Sequence, residues 1–157
     1  MAAKVKLSDI TDALELAGDE RSFWLDRETG EVRMLTDEVV DYAEEDTPLE
    51  EIPEWMHEDL EVARKVQEDT EHRYLELPGK FDIHDWDIME CFASTVKDER
   101  VQRELKRGIR GSGAFRMFRR LLEEHNLWEA WDKFHHARLR EIAIEWCEDN
   151  NLAWRES

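Results

Sequence analysis

One stretch of this sequence is dominated by arginine. Arg103, Lys106, Arg107 and Arg110 recur at i, i+3, i+4 and i+7, so on a helix they share one face. Arg116, Arg119 and Arg120 share a face on the helix expected to follow. Between the two faces stands Gly111-Ser112-Gly113. Glycines let successive backbone N–H groups turn to one side, and a helix starting there adds the positive end of its dipole. Such a turn between two basic faces suits an anion: a phosphate, a carboxylate or a nucleic-acid backbone. The candidate anion site is therefore Arg103, Arg107, Arg110, Gly111, Ser112, Gly113, Arg116, Arg119 and Arg120. The layout is also that of a helix-turn-helix reader of DNA. It has no Walker pattern and matches no nucleotide-binding fingerprint. The competing reading is structural, with these arginines paired to acids elsewhere in the same chain.

Metal and acid–base chemistry find less support. Glu54-Trp55-Met56-His57 has the Glu-x-x-His spacing of di-iron helical bundles, and Asp69…His72 and Asp132…His135 repeat it with Asp. A bundle site also needs carboxylates from two further helices, and nothing picks them out, so no metal and no cofactor is expected. His135 falls on a stripe with Trp128, Trp131, Leu139 and Ile142 and reads as a hydrogen-bonded boundary histidine. His84, between Asp82 and Asp85, reads as exposed beside a helix cap. There is no GxSxG, no HExxH and no cysteine with an evident histidine partner, so no catalytic residue is assigned. Cys91 and Cys147 form no CxxC pair and read as core thiols. The seven tryptophans, Trp55 among them, read as core rather than stacking platforms, since several fall on apolar stripes, Trp24 and Trp154 less clearly so.

Charge gives the second candidate surface. The 157 residues carry a net charge of −18, unevenly spread. Residues 1–77 hold 24 acids and 8 bases, whereas residues 97–120 hold 9 bases and 3 acids. An acidic field opposes nucleic acid and anionic membranes and favours basic partners. The acid-rich run around Pro48 makes Glu44, Glu45, Asp46, Glu50 and Glu51 the candidate surface for a basic protein partner. Nucleic acid is the second candidate partner, and no membrane is expected. Seven Trp and six Phe argue against disorder. Apolar runs fall well short of the ~20 residues needed to span a bilayer, and residues 1–9 lack an apolar leader, which points to the cytoplasm.

These candidates must be positioned by local elements. Leu7, Ile10, Leu14 and Ala17 predict a helix over 8–17 capped by Ser8 and stopped by Gly18. Phe23-Trp24-Leu25 and Val32-Arg33-Met34-Leu35, separated by Asp26…Gly30, predict a hairpin. Arg73–Leu77 supplies a third strand, because a lone hairpin is marginal. Thr36 caps a helix over 37–45, and residues 44–53 form an exposed acidic loop. Pro53 opens a helix over 54–70 that buries Met56, Leu60, Ala63 and Val66. After Pro78-Gly79, helices are predicted over 83–96, 98–109, 114–125 and 127–149. Their inner faces take Trp86, Met89, Phe92, Ala93 and Val96, then Val101, Leu105 and Ile109, then Phe115, Phe118, Leu121 and Leu122, then Trp128, Trp131, Leu139, Ile142 and Trp146. The expected fold is α+β, mainly α: a small antiparallel sheet near the N-terminus packed with a helical C-terminal half. Residues 1–157 read as a single domain, with an acidic α/β part over about 1–77 and a helical part over about 78–157.

Several motifs together carry a family resemblance. They are Val5-Lys6-Leu7-Ser8-Asp9-Ile10, Thr29-Gly30-Glu31-Val32, residues 77–90 from Leu77-Pro78-Gly79 to Glu90, residues 111–119 from Gly111-Ser112-Gly113 to Arg119, and residues 140–148 from Arg140 to Glu148. In this order, over nearly the whole chain, they resemble Uncharacterised Protein Family 0158, small acidic bacterial proteins with no assigned activity. The resemblance therefore implies no catalytic residues. The reading that follows is a non-enzymatic acidic interaction or regulatory protein of the bacterial cytoplasm. The alternative is a phosphate- or nucleic-acid-binding protein using the Arg-rich segment 100–120.

Overall fold

The computed structural model describes residues 4–156, without the side chains of Lys80 and Phe81. Its class is α+β and mainly helical, as the patterning implies. Contacts group the chain into two compact units, Met1–Asp82 with Ala143–Ser157, and Ile83–Ile142. Charge divides with them. The first unit holds 29 acids and 10 bases, net −19; the second holds 11 acids and 12 bases, net +1.

The first unit is built on a three-stranded antiparallel sheet of order β3-β2-β4, with β2 at Arg21–Asp26, β3 at Val32–Thr36 and β4 at Tyr74–Glu76. The hairpin turns where Asp26 and Gly30 predict. Gly30 adopts φ 77° and its N–H donates to the Asp26 carbonyl at 2.8 Å. Such a positive φ costs glycine nothing. Ser22 pairs with Leu35 and Trp24 with Arg33, which places these four on one face of the sheet. Against that face pack α2 (Asp37–Glu44) and α3 (His57–Gln67), burying Leu35, Val39, Ala43, Ile52, Met56 and Leu60 together, with Trp24 beside them. Thr36 caps α2 as expected, its hydroxyl accepting from the Val39 N–H at 3.3 Å.

The start of the chain differs from the prediction. Helix α1 covers Leu7–Glu15, and Ser8 lies inside it, its carbonyl accepting from the Thr11 hydroxyl at 3.1 Å. The helix begins earlier because Val5–Lys6 is strand β1, paired in parallel with β5 at Trp154–Arg155. Such a pairing joins the two ends of the chain and leaves no local pattern to read.

The second unit is helical. It holds α5 (Asp85–Thr95), α6 (Glu99–Gly108), α7 (Ala114–Glu124) and the first part of α8 (Trp128–Asp149); the short α4 (Lys80–Ile83) precedes α5. Phe92 anchors an aromatic cluster, edge-on to Phe118, Trp131 and Phe134 at 6.2, 5.4 and 5.5 Å between ring centres. Edge-to-face contacts of this kind are favoured by the ring quadrupole. Met89, Leu105, Ile109, Leu121 and Leu122 complete the core. Three aromatics expected inside are instead exposed: Trp86 at 41%, Phe115 at 51% and Trp128 at 41%. Each stands in the first turn of its helix, where the next turn does not cover it. Trp86 stays at the boundary because its Nε1–H donates to the Ile109 carbonyl at 2.7 Å, satisfying a carbonyl just beyond the end of α6.

A buried polar contact of the first unit joins β2 to the segment leading into β4. Asp26, 7% exposed, accepts from Arg73 Nε at 3.0 Å and from Arg73 Nη2 at 2.9 Å, and from the Glu28 N–H at 3.0 Å. The Arg73 guanidinium holds the Asp26 carboxyl below its ordinary value, outweighing burial, which acts the other way. A lowered folded-state value stabilises the fold above the unfolded carboxyl value of 3.8, and this stabilisation is lost as pH falls through the lowered value. Asp26→Ala should therefore lower stability near neutral pH by about 2 kcal/mol, the worth of hydrogen bonds to a charged group. In denaturant titrations the gap from wild type should narrow steadily below pH 4; a gap that is constant with pH would contradict this role.

Candidate functional site

The Arg-rich segment folds into two helices joined by a short turn. Asp98 caps α6, its carboxylate accepting from the N–H groups of Arg100 and Val101 at 3.0 and 3.3 Å. Leu105 and Ile109 point inward, which leaves Arg103, Arg107 and Arg110 exposed and Lys106 half-buried. Phe118, Leu121 and Leu122 likewise turn Arg116, Arg119 and Arg120 outward from α7. The helices run close at Gly108, where a Cβ would come within 2.7 Å of Met117 Cγ and 3.0 Å of Leu121 Cδ1. At another point of the pair, His125 Nε2 lies 2.8 Å from Glu104 Oε2. Within this unit no ion pair among the described residues engages Arg103, Lys106, Arg107, Arg110, Arg116 or Arg119. Arg120 is held by Glu124 at 3.1 Å, one turn further along its own helix. In the turn, Gly113 has φ 75° and caps α7, and neither Gly111 nor Gly113 has an atom within 4 Å of the Cβ position. Ser112 is exposed beside them.

The acidic candidates occupy a fixed turn. Glu44 ends α2, Glu45 and Asp46 follow it, and Glu50 and Glu51 lie in a 3-10 turn at Leu49–Glu51. All five acids are exposed. The segment is pinned from inside by Ile52 and Met56, 4% and 3% exposed, which pack against α2 and α3. Arg64 Nη2 donates to the Thr47 carbonyl at 3.2 Å and approaches Asp46 at 4.0 Å. His57 Nε2 lies 2.9 Å from the Ile52 carbonyl. With Ile52 and Met56 turned inward, Leu49 and Trp55 are left outside, 47% and 75% exposed. Sequence reasoning did not select these two. The signal was available for Trp55: it falls off the stripe of Met56, Leu60 and Ala63 that predicts the inner face of the helix.

His57 and His135 have partners of structural kind. His57 is the histidine of the Glu-x-x-His motif, and its ring nitrogen is turned to a backbone carbonyl. His135 stacks on Trp131 at 5.0 Å and meets Asp85 at 3.4 Å. His84, exposed, is the left-handed N-cap of α5 at φ 55°. Asp82 accepts from the Gly79 N–H at 2.8 Å, holding the Pro78-Gly79 turn. Among the described residues no three His, Cys, Asp or Glu side chains gather into a metal-binding group. A cleft of about 480 Å³ in the first unit is lined by Arg21, Glu76, Asp82 and Trp146 among others. Partial desolvation, then the nearby Asp82, raises the Glu76 carboxyl; the described lining of this cleft includes no Ser, Thr, Cys, Lys or His side chain. Among the described residues no helix is long and apolar enough to cross a membrane.

The fold and surface thus define a small α+β protein with an acidic unit and a basic helix pair. The chain belongs to an uncharacterised protein family, UPF0158, whose model matches residues 3–156. No curated protein and no solved structure matches it.

One of the two cysteines differs from the sequence expectation of two core thiols. Cys147 is buried but Cys91 is exposed on α5, on the side away from Met89, Phe92 and Ala93. Burial, with Glu148 nearby, pushes the Cys147 thiol up to about 11. A disulfide-exchange reagent at neutral pH should therefore label one thiol in the native protein and two after denaturation, and Cys91→Ser should abolish the native labelling. Close approach at Gly108 gives a second expectation. Gly108→Val should lower the stability of the helical unit by about 1–3 kcal/mol, the cost of overpacking; an unchanged thermal melt would contradict the close α6–α7 contact.

Proposed function

We propose that this protein is a non-enzymatic interaction or regulatory protein of the bacterial cytoplasm, and that its acidic unit engages a basic surface on a protein partner. The observation that carries this reading is Trp55, 75% exposed on an acidic turn whose backbone is fixed by buried neighbours. Exposed tryptophans dominate the energetics of protein interfaces, and a pre-ordered turn loses little entropy on binding. Leu49 adds apolar area, and Glu50, Glu51, Glu54 and Glu58 flank it in sequence with negative charge. A net charge of −19 on this unit steers a basic partner toward it and disfavours acidic ones.

A second reading has its own observation. Arg103, Arg107, Arg110, Arg116 and Arg119 are exposed and, within their unit, take part in no ion pair among the described residues. This supports an anion or nucleic-acid site on α6 and α7, with affinity falling steeply as salt rises.

Capture of partners from a lysate of the source organism, with and without nuclease, separates the two. On the leading reading a protein partner survives nuclease. Trp55→Ala then weakens its binding at least tenfold, and so does replacing four of Glu44, Glu45, Asp46, Glu50 and Glu51 by Gln or Asn. An Arg103→Ala, Arg107→Ala, Arg116→Ala triple variant leaves it unchanged. Recovery of nucleic acid alone, or loss of the partner only in the arginine variant, would overturn the leading reading in favour of the second.

A further inference from the structure

The β-sheet of the acidic unit ends on an unpaired strand. Strand β3 pairs with β2 on one side only, and among the described residues no strand lies on its other side. Its register fixes which backbone groups face outward. The Asp26 N–H donates to the Glu31 carbonyl at 2.9 Å, and the Asp37 N–H donates to the Glu20 carbonyl at 3.0 Å. Hydrogen-bonded pairs alternate along an antiparallel ladder. Arg33, opposite Trp24, and Leu35, opposite Ser22, therefore turn their backbone groups toward β2. The N–H and C=O of Val32 and Met34, with the Thr36 N–H, turn to the open edge. Natural edge strands are blunted by proline, bulges or outward charge. Val32-Arg33-Met34-Leu35-Thr36 has no proline and no bulge, its Arg33 guanidinium is turned to Glu58 at 3.5 Å, and α1 approaches β3 but leaves an open cleft between them.

Beside this edge, between α1 and the hairpin, lies an open cleft of about 380 Å³. Its apolar lining includes Leu16, Phe23 and Met34, and its charged lining is three acids, Asp9, Asp12 and Glu31, against one base, Arg33, which is turned to Glu58. Leu16 and Met34 are 54% and 44% exposed, so two of the large apolar side chains left in solvent meet at this one place. Open main-chain groups, an adjoining apolar cleft and an acidic rim together suit one kind of occupant.

We propose that the outer edge of β3 is a strand-docking site for an extended segment of a partner protein in which apolar and basic residues alternate. Backbone hydrogen bonds to Val32, Met34 and Thr36 would continue the sheet, alternate apolar side chains would enter the cleft on one face, and the lysines or arginines between them would fall on the opposite face, that of Glu31 and Glu58. Charge decides against a second copy of this chain as the occupant. Pairing two β3 edges would bring together two acidic rims on units of net charge −19 each, whereas a basic segment neutralises the rim. The inference rests on the interaction reading above and adds a contact distinct from the Trp55 turn.

The test uses the full chain, labelled with nitrogen-15, and two capped octapeptides: alternating Lys–Val as probe and alternating Glu–Val as control. Lys–Val should shift and protect the amides of Val32, Met34 and Thr36, with affinity that falls as salt rises, and Glu–Val should leave them unmoved. Met34→Pro removes an outward N–H that the β2–β3 ladder does not use, so the sheet should tolerate it. It should weaken Lys–Val binding at least tenfold. Should circular dichroism show that this variant fails to fold, Leu16→Lys at an exposed helix position should give the same loss. The proposal is overturned by any of three results: Lys–Val perturbs other amides and spares β3, Glu–Val binds equally, or a folded variant binds as wild type does. It is equally overturned if the free protein is a dimer with β3 amides already protected. If these assays fail while Trp55→Ala still releases the cellular partner, the edge site falls and the interaction reading stands.

Discussion

A carboxylate and a guanidinium 47 residues apart in the chain close the sheet on which the acidic unit is built. Strand β4 has only three residues, so its ladder is short. Asp26–Arg73 reinforces it at one end, together with the Arg27 N–H on the Arg73 carbonyl at 2.8 Å; the Leu77 N–H on the Phe23 carbonyl at 2.9 Å extends the other. The pair is placed where both costs of a buried charge are limited. Asp26 is covered but accepts three hydrogen bonds, and Arg73 keeps part of its surface in water and also reaches Glu28 at 3.3 Å. A buried carboxylate is tolerable only when its lone pairs are taken. Closing the sheet there fixes β2 as the central strand, and everything between β3 and β4 must then pack on the Trp24–Leu35 face.

That packing is what turns an acid-rich, proline-bearing segment into a defined surface. Residues 44–56 would be a loose loop if read by composition alone. Ile52 and Met56 enter the core under α2 and α3, and the chain between these helices has little freedom left. The acids therefore do not serve stability. The ion pair of this segment, Arg64–Asp46, and those beside it, Arg33–Glu58 and Lys65–Glu61, are exposed and of little energetic worth. A unit of net charge −19 carries self-repulsion that its apolar core must offset. Retaining such a surface in an ordered form, with Trp55 at its crest, is intelligible for a binding role.

The helical unit solves a different problem with the same means. Its core is aromatic, and Phe92, Phe118 and Trp131 meet edge to face, with Trp131 also stacked by His135. Gly108 lets α6 and α7 approach closely enough that their apolar faces are spent on this core, and the arginines are left on the outside. The basic outer surface of α6 and α7 is thus a consequence of how two strongly amphipathic helices bury their inner sides.

The amino-acid sequence by itself determined whatever depends on neighbours along the chain. Asp26 and Gly30 set the hairpin, Thr36 and Asp98 set two helix starts, and the spacing of Leu105 and Ile109 turned Arg103, Arg107 and Arg110 outward, because turns, caps and amphipathic faces are governed by contacts within a few residues. Tertiary structure alone decided the rest. The pairing of β1 with β5 moved the start of α1 to Leu7, since an extended Val5–Lys6 is stabilised by residues at the other end of the chain. Trp86 lies at the boundary because a carbonyl 23 residues away needs its indole N–H. Trp55 is a surface residue because its neighbours Ile52 and Met56 are claimed by the core, and β3 is an edge because no other strand among the described residues arrives. These outcomes turn on which distant group takes the last hydrogen bond or the last place in a core, and periodicity along a sequence carries no record of that competition.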